Sequence, residues 1–180
     1  MQSIPHKKLG YTLVELLAVI SIMGILSGMG VVGFQTMVSH TRTKDAALNV
    51  AAYLERTANK ARQLNDSLCV RKGATANVLL TYKASCDAGN FADPIDQLVL
   101  EEQVSILEDG VPDGVGGGGV NIIKSTEKKA SFAPRPGLSS APYEGYVAVE
   151  YSGEYGAAVK EKTKNSFTPK WSPSGSWSDL

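Results

Sequence analysis

The sequence predicts an α+β fold: a long N-terminal helix, transmembrane in its first half and amphipathic in its second, packed against a small antiparallel β-sheet domain. Three observations support that prediction. An apolar run near the N-terminus has the length of a membrane span. An amphipathic stripe with helical spacing follows it, and the rest of the chain alternates in short strand-like segments. No proline interrupts the chain between residues 10 and 94.

The apolar run contains a single charged residue, Glu15, and no Asp, Glu, Lys or Arg occurs from residue 16 to residue 41. About 20 apolar residues are enough to cross a bilayer as a helix. A carboxylate within such a helix costs about 2.5–3.5 kcal/mol at the bilayer centre and less near the interface. Since this helix offers Glu15 no basic neighbour, we expect its partner on another molecule or at the chain's own N-terminus after cleavage.

The first ten residues have the features of a leader that is removed on the cytoplasmic side. They are polar and include Lys7 and Lys8, and a small residue, Gly10, stands before the apolar run. A secretory signal peptide would place a small-residue cleavage pattern after its apolar region, and none follows here before residue 34. Lys7 and Lys8 favour a cytoplasmic N-terminus with the rest of the chain outside, although Arg42 and Lys44 oppose that charge bias.

Residues 10–17, G-Y-T-L-V-E-L-L, resemble the G-F-T-L-x-E-L motif of type IV pilins and type II secretion pseudopilins. That resemblance implies that a prepilin peptidase cuts between Gly10 and Tyr11 and that Tyr11 is then N-methylated. It also implies that Glu15 serves filament assembly, with other pilin subunits, an inner-membrane assembly platform and the lipid bilayer as partners. The chain departs from the family pattern in two places: Tyr11 replaces phenylalanine, and Val32 stands where many pilins carry a helix-kinking proline.

The helix is expected to run from about Leu13 to Leu64. Its second half carries apolar residues at three- and four-residue steps, with polar residues on the other side, which is the pattern of a helix that packs on a domain. That stripe consists of Ala47, Val50, Ala51, Leu54, Ala58, Ala61 and Leu64. The expected organisation is a leader at 1–10, a transmembrane helix at 11–40 and an extracytoplasmic domain at 41–180.

Four glycines in the first half of the helix are candidates for helix packing or local flexibility. Gly24 and Gly28 form the G-x-x-x-G spacing of helix contacts in membranes. Gly28, Gly30 and Gly33 lie within six residues, and each lowers helix stability by about 1 kcal/mol. The alternative is that they are ordinary transmembrane glycines without a packing role.

Within the domain, the helix is expected to occupy 41–65, a β-rich part 66–160, and a loosely structured tail 161–180. The alternating segments predict strands, and residues 152–154 predict a three-residue hairpin turn between the last two of them. These strands are expected at 68–71, 77–83, 97–102, 104–108, 120–124, 130–133, 146–151 and 155–160. The glycine-rich segment 109–119 predicts a flexible loop, in which calcium binding by Asp109 and Asp113 is an open alternative.

Composition and residue types disfavour an enzyme. The chain has 18 basic and 18 acidic residues, and loss of Lys7 and Lys8 with the leader leaves 16 basic residues against 18 acidic ones, so no strong field of either sign arises. Residues 41–180 contain no histidine, so Ser-His-Asp and Cys-His mechanisms lack their base there. We therefore expect no catalytic residues, no metal and no cofactor.

Cys69 and Cys86 are the only two cysteines. An even pair outside the cytoplasm usually forms a disulfide, and this one would stabilise the domain by about 3 kcal/mol. Two free buried thiols are the alternative.

The C-terminal tail interleaves cations with aromatic residues, a pattern that suits contact with single-stranded nucleic acid or carbohydrate. The candidate contact residues are Lys160, Lys162, Lys164, Lys170, Trp171 and Trp177, together with Phe167. The competing interpretation, which we favour, is a C-terminal segment whose tryptophans cover the sheet.

A narrower resemblance extends over most of the chain. The order of a long helix, L-C-V-R-K, a second cysteine, short strands and S-F-A-P-R-P-G-L before a hairpin is similar to H-type minor pseudopilins and T-type minor fimbrial pilins. It implies a structural, low-abundance subunit of a type IV pilus or type II secretion filament. It also implies residence in the bacterial inner membrane, with the N-terminus in the cytoplasm, before assembly into an extracytoplasmic filament. The alternative function is a pilin-like subunit that binds DNA or a surface through the tail, with nucleic acid the less expected partner.

Overall fold

The structure, a computed structural model, describes residues 12–87, 91–124, 130–134, 137–138 and 143–180. The leader, the predicted cut at Gly10 and the predicted methylation site at Tyr11 lie outside the described residues. The chain divides into two compact units, one ending at Val38 and the other comprising Ser39–Leu180.

One helix, α1, runs from Leu13 to Leu64 over 52 residues, as the sequence predicts. The residue that follows it, Asn65, has a φ of 50°, which lies in the left-handed region. The Asn65 N–H donates to the Arg62 carbonyl, and the Asp66 N–H donates to the Ala61 carbonyl. These two bonds form a Schellman motif, in which asparagine takes the position that glycine usually occupies.

Among the described residues, ten strands form two five-stranded sheets, and every strand pair described there is antiparallel. The first sheet has the order β3-β2-β1-β5-β6 and the second has the order β10-β9-β8-β7-β4. In chain order the strands are β1 Leu68–Lys72, β2 Val78–Tyr82, β3 Asp96–Val99, β4 Ser105–Leu107, β5 Ser131–Ala133, β6 Gly137–Leu138, β7 Gly145–Tyr151, β8 Glu154–Lys160, β9 Thr168–Ser172 and β10 Ser178–Asp179. The predicted α+β class is therefore confirmed, with two sheets where the sequence suggested one.

The core of the second unit lies between the C-terminal half of α1 and the sheets. Six of the seven predicted stripe residues are buried, whereas Leu64, in the last turn, is 47% exposed. The helix approaches β8 closely at Gly156, where a Cβ atom would lie 2.8 Å from the Thr43 carbonyl oxygen and 3.0 Å from the Ala47 side chain. Only glycine allows that approach, because any side chain would push α1 away from the sheet.

The segment 120–124 was predicted as a strand, and this prediction is wrong. Only Asn121 forms an isolated parallel bridge, to Tyr146. The Asn121 side-chain amide donates to the carbonyl oxygens of Leu107 and Glu108, at 2.7 and 3.0 Å. The backbone of this segment makes one bridge to β7 rather than a strand ladder: the Ile122 N–H donates to the Tyr146 carbonyl, and the Tyr146 N–H donates to the Val120 carbonyl. The predicted strand at 97–102 is also shorter, because a turn follows β3, in which the Val104 N–H donates to the Glu101 carbonyl.

The hairpin between β7 and β8 has a two-residue turn rather than the predicted three-residue turn. Tyr151 pairs with Glu154, so only Ser152 and Gly153 lie in the turn. Both have positive φ, 52° and 82°. Positive φ at both central residues is the requirement of a type I′ turn, whose twist matches that of the flanking strands.

The tail is not loosely structured, contrary to the prediction for 161–180. β9 pairs with β8 through five residue pairs, and β10 pairs with β9. Phe167 is buried in the main core. The tail thus supplies two strands of the second sheet.

The glycine-rich segment 109–119 packs against the domain. Val115 is buried with Tyr146 and Val159 in a second apolar cluster on the sheet. A Cβ atom on Gly117 would lie 2.5 Å from the Gly145 carbonyl oxygen, and Gly117 has φ of 61°. This crossing of two backbones explains why glycine is needed there.

Candidate functional site

The first turn of α1 is capped by Thr12. The Thr12 side-chain oxygen accepts a hydrogen bond from the Glu15 N–H at 3.3 Å, and its carbonyl accepts from the N–H groups of Glu15 and Leu16. A threonine cap with a glutamate three positions later is the sequence pattern of a capping box. The T-L-V-E sequence therefore begins the helix and also places Glu15 in its first turn.

Glu15 is exposed, and its carboxylate forms no ion pair with any residue that the structure describes. A carboxylate in the first helical turn is favoured by the partial positive charge of the helix N-terminus. This interaction with the helix N-terminus needs no second molecule. A full counter-charge has to come from outside the described residues, which is the arrangement expected if Glu15 meets another molecule.

The first half of α1 presents apolar side chains to its surroundings. Exposure ranges up to 77% at Leu13 and is 69% at Phe34. By length and composition α1 can cross a membrane, with a mean hydropathy of 2.2 over its most apolar window, none of which is buried. The Ser21 hydroxyl donates to the Leu17 carbonyl at 2.8 Å, so this polar group is satisfied within the helix. Such a surface requires lipid or other apolar helices to cover it.

The predicted glycine positions lie on this uncovered helix. A Cβ atom at Gly24, Gly28 or Gly33 would meet no atom of the described residues within 4 Å. Gly30 belongs to the same helix. Contacts with other described residues therefore do not explain Gly24, Gly28 and Gly33. A helix-packing role for all four glycines stays a prediction.

Comparison with protein families gives one match. Residues 5–31 match the family model described as the prokaryotic N-terminal methylation motif. This type IV pilin-like signal includes the predicted cut after Gly10 and also Glu15, and it supports a pilin-like or pseudopilin precursor that prepilin peptidase processes. Together with the apolar helix it fits anchoring in the inner membrane, and it is a motif of structural proteins. Neither the curated proteins nor the solved structures gave a match to the chain.

The predicted disulfide is present. Cys69 in β1 is bonded to Cys86, which follows β2, and both residues are buried. The bond closes a loop with a sequence separation of 17 and so ties the segment after β2 to the first sheet.

The lysines of the candidate contact tail are held within the domain to different degrees. Lys160 is buried, and its ammonium group donates to the Lys164 carbonyl at 2.6 Å. Burial lowers the pKa of Lys160, and the nearby Glu55 carboxylate partly opposes that shift. Lys170 lies 3.8 Å from both Glu161 and Asp179. Lys162, by contrast, is exposed.

The aromatic residues of the tail also make contacts inside the domain. The Trp177 indole N–H donates to the Pro112 carbonyl at 3.3 Å, and its ring packs on the second apolar cluster. The Trp171 indole N–H donates to Glu154 at 3.3 Å. These contacts agree with tryptophans that cover the sheet.

Sequence reasoning did not find a cluster of polar and aromatic side chains within the second unit. It joins the first turns of α1 in that unit to the sheet that contains β8 and β9. His40 Nδ1 lies 2.8 Å from Glu154 Oε2, and Glu154 is only 8% exposed. The Trp171 ring meets the His40 ring edge-on at 5.1 Å, and the Lys44 ammonium lies 4.0 Å from the centroid of the Trp171 ring. The members on the helix lie more than 100 residues before those on the sheet, so no local pattern could have indicated the cluster.

Among the described residues, no group of three or more His, Cys, Asp or Glu side chains is placed to hold a metal ion. Of the two aspartates considered for calcium, Asp109 forms an ion pair with Lys124. Burial raises the pKa of Tyr146, which lies beside this pair, and the negative charge of Asp109 raises that pKa further. Lys124 therefore already supplies a positive charge to Asp109, one of the two carboxylates considered for calcium.

Proposed function

We propose that this protein is a structural subunit, a minor pilin or pseudopilin, of a type IV pilus or type II secretion filament, and that it assembles through its N-terminal helix. One observation carries the proposal. A helix with a methylation motif at its start exposes an apolar surface of membrane length that holds one carboxylate, Glu15, in its first turn. An apolar surface with a single acid is suited to association with other helices rather than to catalysis.

The proposed mechanism begins with cleavage between Gly10 and Tyr11. Cleavage creates a cationic amine at Tyr11, and methylation of that amine preserves its charge. In the filament, Glu15 of one subunit neutralises the Tyr11 amine of a neighbour, while the apolar helices bundle and the β-rich units face outward. Such a pair is tolerable in an apolar core only when both charges are present, since removal of one partner leaves the other buried and unpaired.

The minor-subunit role rests on the resemblance of the β-rich unit to H-type pseudopilins and T-type fimbrial pilins. The same resemblance suggests a position at or near a filament tip. The alternative function, binding of DNA or a surface through the tail, gains no support from Lys160, Lys170, Trp171 and Trp177, because their polar groups bond within the domain.

Processing is tested on the intact protein. Mass spectrometry of the membrane-extracted chain should show loss of residues 1–10 and gain of one methyl group on Tyr11. A mature N-terminus located beyond Phe34 would contradict the pilin interpretation, because the apolar helix would then have been removed.

Assembly is tested with Glu15→Ala, with Glu15→Gln as the graded variant and Val19→Leu as the control on the same helix. Breaking one partner of a buried pair costs about 3–5 kcal/mol, and 1.4 kcal/mol is tenfold in an equilibrium, so Glu15→Ala should lower incorporation into filaments at least about a hundredfold. Glu15→Gln keeps a hydrogen bond and should fall between Glu15→Ala and the parent.

The measurement is the amount of each variant in sheared filaments relative to the membrane pool, after cleavage has been confirmed by mass. Entry of Glu15→Ala into filaments at the parent level would refute the ion-pair mechanism. Partial incorporation would indicate a terminal position, where one side of the subunit has no neighbour.

A further inference from the structure

The two ends of the glycine-rich segment 109–119 border a cavity beside the second sheet. Its volume is about 320 Å³, which is within the range of about 300–1,000 Å³ for small-molecule pockets. The polar side chains of its lining are Glu108, Asp109, Asn121, Lys124 and Tyr146. The cavity lies wholly within the second unit, and its described lining contains none of the tail residues considered for ligand contact.

Tyr146 in β7 is a buried residue of the cavity wall whose hydroxyl group is not satisfied. The residue is only 8% exposed, and its ring is packed in the second apolar cluster. Burial raises the pKa of Tyr146, and the charges of Asp109 and Lys124 act on it next, so the hydroxyl lies near these two side chains. Among the described residues, that hydroxyl has no hydrogen-bond partner. Because a buried tyrosine hydroxyl usually finds a partner, a molecule in the cavity can supply the one that is missing here.

Lys124 and Asp109 form an ion pair at the cavity, where a donor and an acceptor stand side by side. Both side chains are partly exposed, with exposed fractions of 35% and 72%. An ammonium group has three N–H donors, and a carboxylate has about four lone-pair sites. One contact between the two groups therefore leaves each able to bond to a ligand as well.

Asn121 fixes the wall of the cavity and has no comparable capacity for a ligand. Its side-chain amide donates to the carbonyl oxygens of Leu107 and Glu108, and its side-chain oxygen accepts from the Ile123 N–H. The groups that face a ligand are therefore those of Asp109, Lys124 and Tyr146.

The charges of the lining favour a neutral ligand. Two carboxylates, those of Glu108 and Asp109, stand against the single ammonium group of Lys124, so an anion such as phosphate would be repelled. A metal ion finds no group of three His, Cys, Asp or Glu side chains in the part of the chain that the structure describes. An organic cation would compete with Lys124 for Asp109. A neutral molecule with several hydroxyl groups meets none of these obstacles, since a hydroxyl both donates and accepts.

We propose that this cavity binds one residue of a neutral saccharide. Two hydroxyls on neighbouring ring carbons donate to the Asp109 carboxylate and accept from the Lys124 ammonium, and a third hydroxyl bonds to the hydroxyl of Tyr146. The protein then has a ligand in addition to its proposed structural role. Saccharide binding depends on neither cleavage nor filament assembly, so its failure would leave the proposed function standing.

The test uses the full chain in a phosphocholine detergent, because a sugar-based detergent would compete for the cavity. Binding is measured by saturation-transfer NMR with the methyl α-glycosides of glucose, galactose and mannose, each titrated to obtain a Kd. Dextran is measured as well, since it distinguishes a residue inside a polymer from a free or terminal one. We expect saturation transfer from the parent protein to the ring protons of at least one of these saccharides.

Two variants assign that binding to the cavity. Tyr146→Phe removes only the hydroxyl and keeps the ring in the second apolar cluster, so loss of one hydrogen bond should raise the Kd about two- to tenfold. Lys124→Met removes a charged donor and should raise the Kd at least about tenfold. Tyr155→Phe in the neighbouring strand β8 is the control, because Tyr155 does not line the cavity, and its Kd should equal that of the parent. Tryptophan emission checks that each variant is folded.

Absence of saturation transfer to every one of these saccharides would overturn the proposal, as would an unchanged Kd in either Tyr146→Phe or Lys124→Met. Equal losses of affinity in Tyr146→Phe and Tyr155→Phe would place the binding elsewhere and overturn it too. Putrescine, a diamine, is measured in parallel. Transfer to putrescine with none to a saccharide would show that the cavity takes a cation instead.

Discussion

The two halves of α1 share one backbone conformation and have opposite surroundings. In residues 13–28 and 33–37 the large apolar side chains are exposed, whereas in residues 39–64 the apolar stripe is buried against the sheets. Leu17 is 50% exposed and Leu54 is fully buried, although both are leucines within the same helix. The second half finds its apolar partners inside the chain, and the first half has to find them in lipid or in other subunits.

This difference separates stability from assembly. Burial of apolar surface drives folding in the second half, so substitutions there should lower the free energy of unfolding of the β-rich unit. Substitutions in the first half should leave that free energy unchanged and affect insertion or assembly instead. Trp171 and Trp177 both belong to the second unit, so tryptophan fluorescence reports the unfolding of that unit alone.

The largest effect is expected from Leu54→Ala. Truncation of a fully buried leucine removes transfer free energy and leaves a cavity, and the loss is about 3 kcal/mol within a usual range of about 2–5. Leu17→Ala is the matched control and should change the free energy of unfolding by less than about 0.5 kcal/mol, as exposed sites usually do. Both values come from urea titrations of the detergent-solubilised full chain, followed by tryptophan emission. Equal losses for the two variants would show that the two halves do not differ in this way.

A comparable effect is expected from removal of the disulfide. The double variant Cys69→Ala, Cys86→Ala should lose about 3 kcal/mol in the same titration, because the unfolded chain regains the freedom of a loop of this length. Assembly determinants in the first half should be unaffected, so the variant should still be cleaved and inserted. A loss below about 1 kcal/mol would mean that the core alone fixes the segment after β2.

The helix could be predicted from the sequence almost to the residue, and the reasons are local. The apolar run and the amphipathic stripe predict one continuous helix because no proline intervenes, and Thr12 and Asn65, which that prediction did not use, cap its ends in the structure. The two strands of the β7–β8 hairpin were also predicted, from two alternating segments, but the turn between them has two residues and not the predicted three. The N-terminal candidate site was read from a short motif, whose local spacing does not depend on the rest of the fold.

The features that sequence reasoning missed depend on distant parts of the chain. β9 and β10 gave little periodic signal, and they form because β8 offers a free edge to Trp171 and its neighbours. The segment around Asn121 was apolar enough to resemble a strand, but it forms only a single bridge to Tyr146, and its Asn121 side chain bonds the Leu107 and Glu108 carbonyls. Contacts of this kind, like the one between His40 and Glu154, appear only once the fold has brought the partners together.

A smaller effect on the free energy of unfolding, confined to alkaline pH, is expected from Tyr53 in the buried half of α1. Its hydroxyl lies 2.6 Å from the Thr81 hydroxyl, and burial raises the pKa of Tyr53 to about 12. The folded state therefore retains a proton that the unfolded state releases above about pH 10. Stability should be unaffected by this group below pH 10 and should fall by roughly 2 kcal/mol as the pH rises to 12.

Tyr53→Phe checks this assignment. The variant removes the titrating group, so its stability should depend less steeply on pH above 10, although it should be less stable at neutral pH because Thr81 loses its partner. Tyr146, whose pKa burial also raises, remains in both proteins and accounts for part of the common slope. Identical slopes for the parent and the variant would remove Tyr53 from the explanation.

The smallest effect on the β-rich unit is expected at Gly24, where no atom within 4 Å would meet a Cβ. Gly24→Leu should leave the free energy of unfolding of that unit unchanged within about 0.5 kcal/mol. In membranes, however, small residues at G-x-x-x-G spacing let helices approach closely, and a leucine would hold them apart. We therefore expect Gly24→Leu to enter sheared filaments less than the parent, with Ile25→Leu as the volume-conserving control beside it. If Gly24→Leu is incorporated as well as Ile25→Leu, the glycine is an ordinary transmembrane residue, and the uncovered half of α1 packs through its large apolar side chains alone.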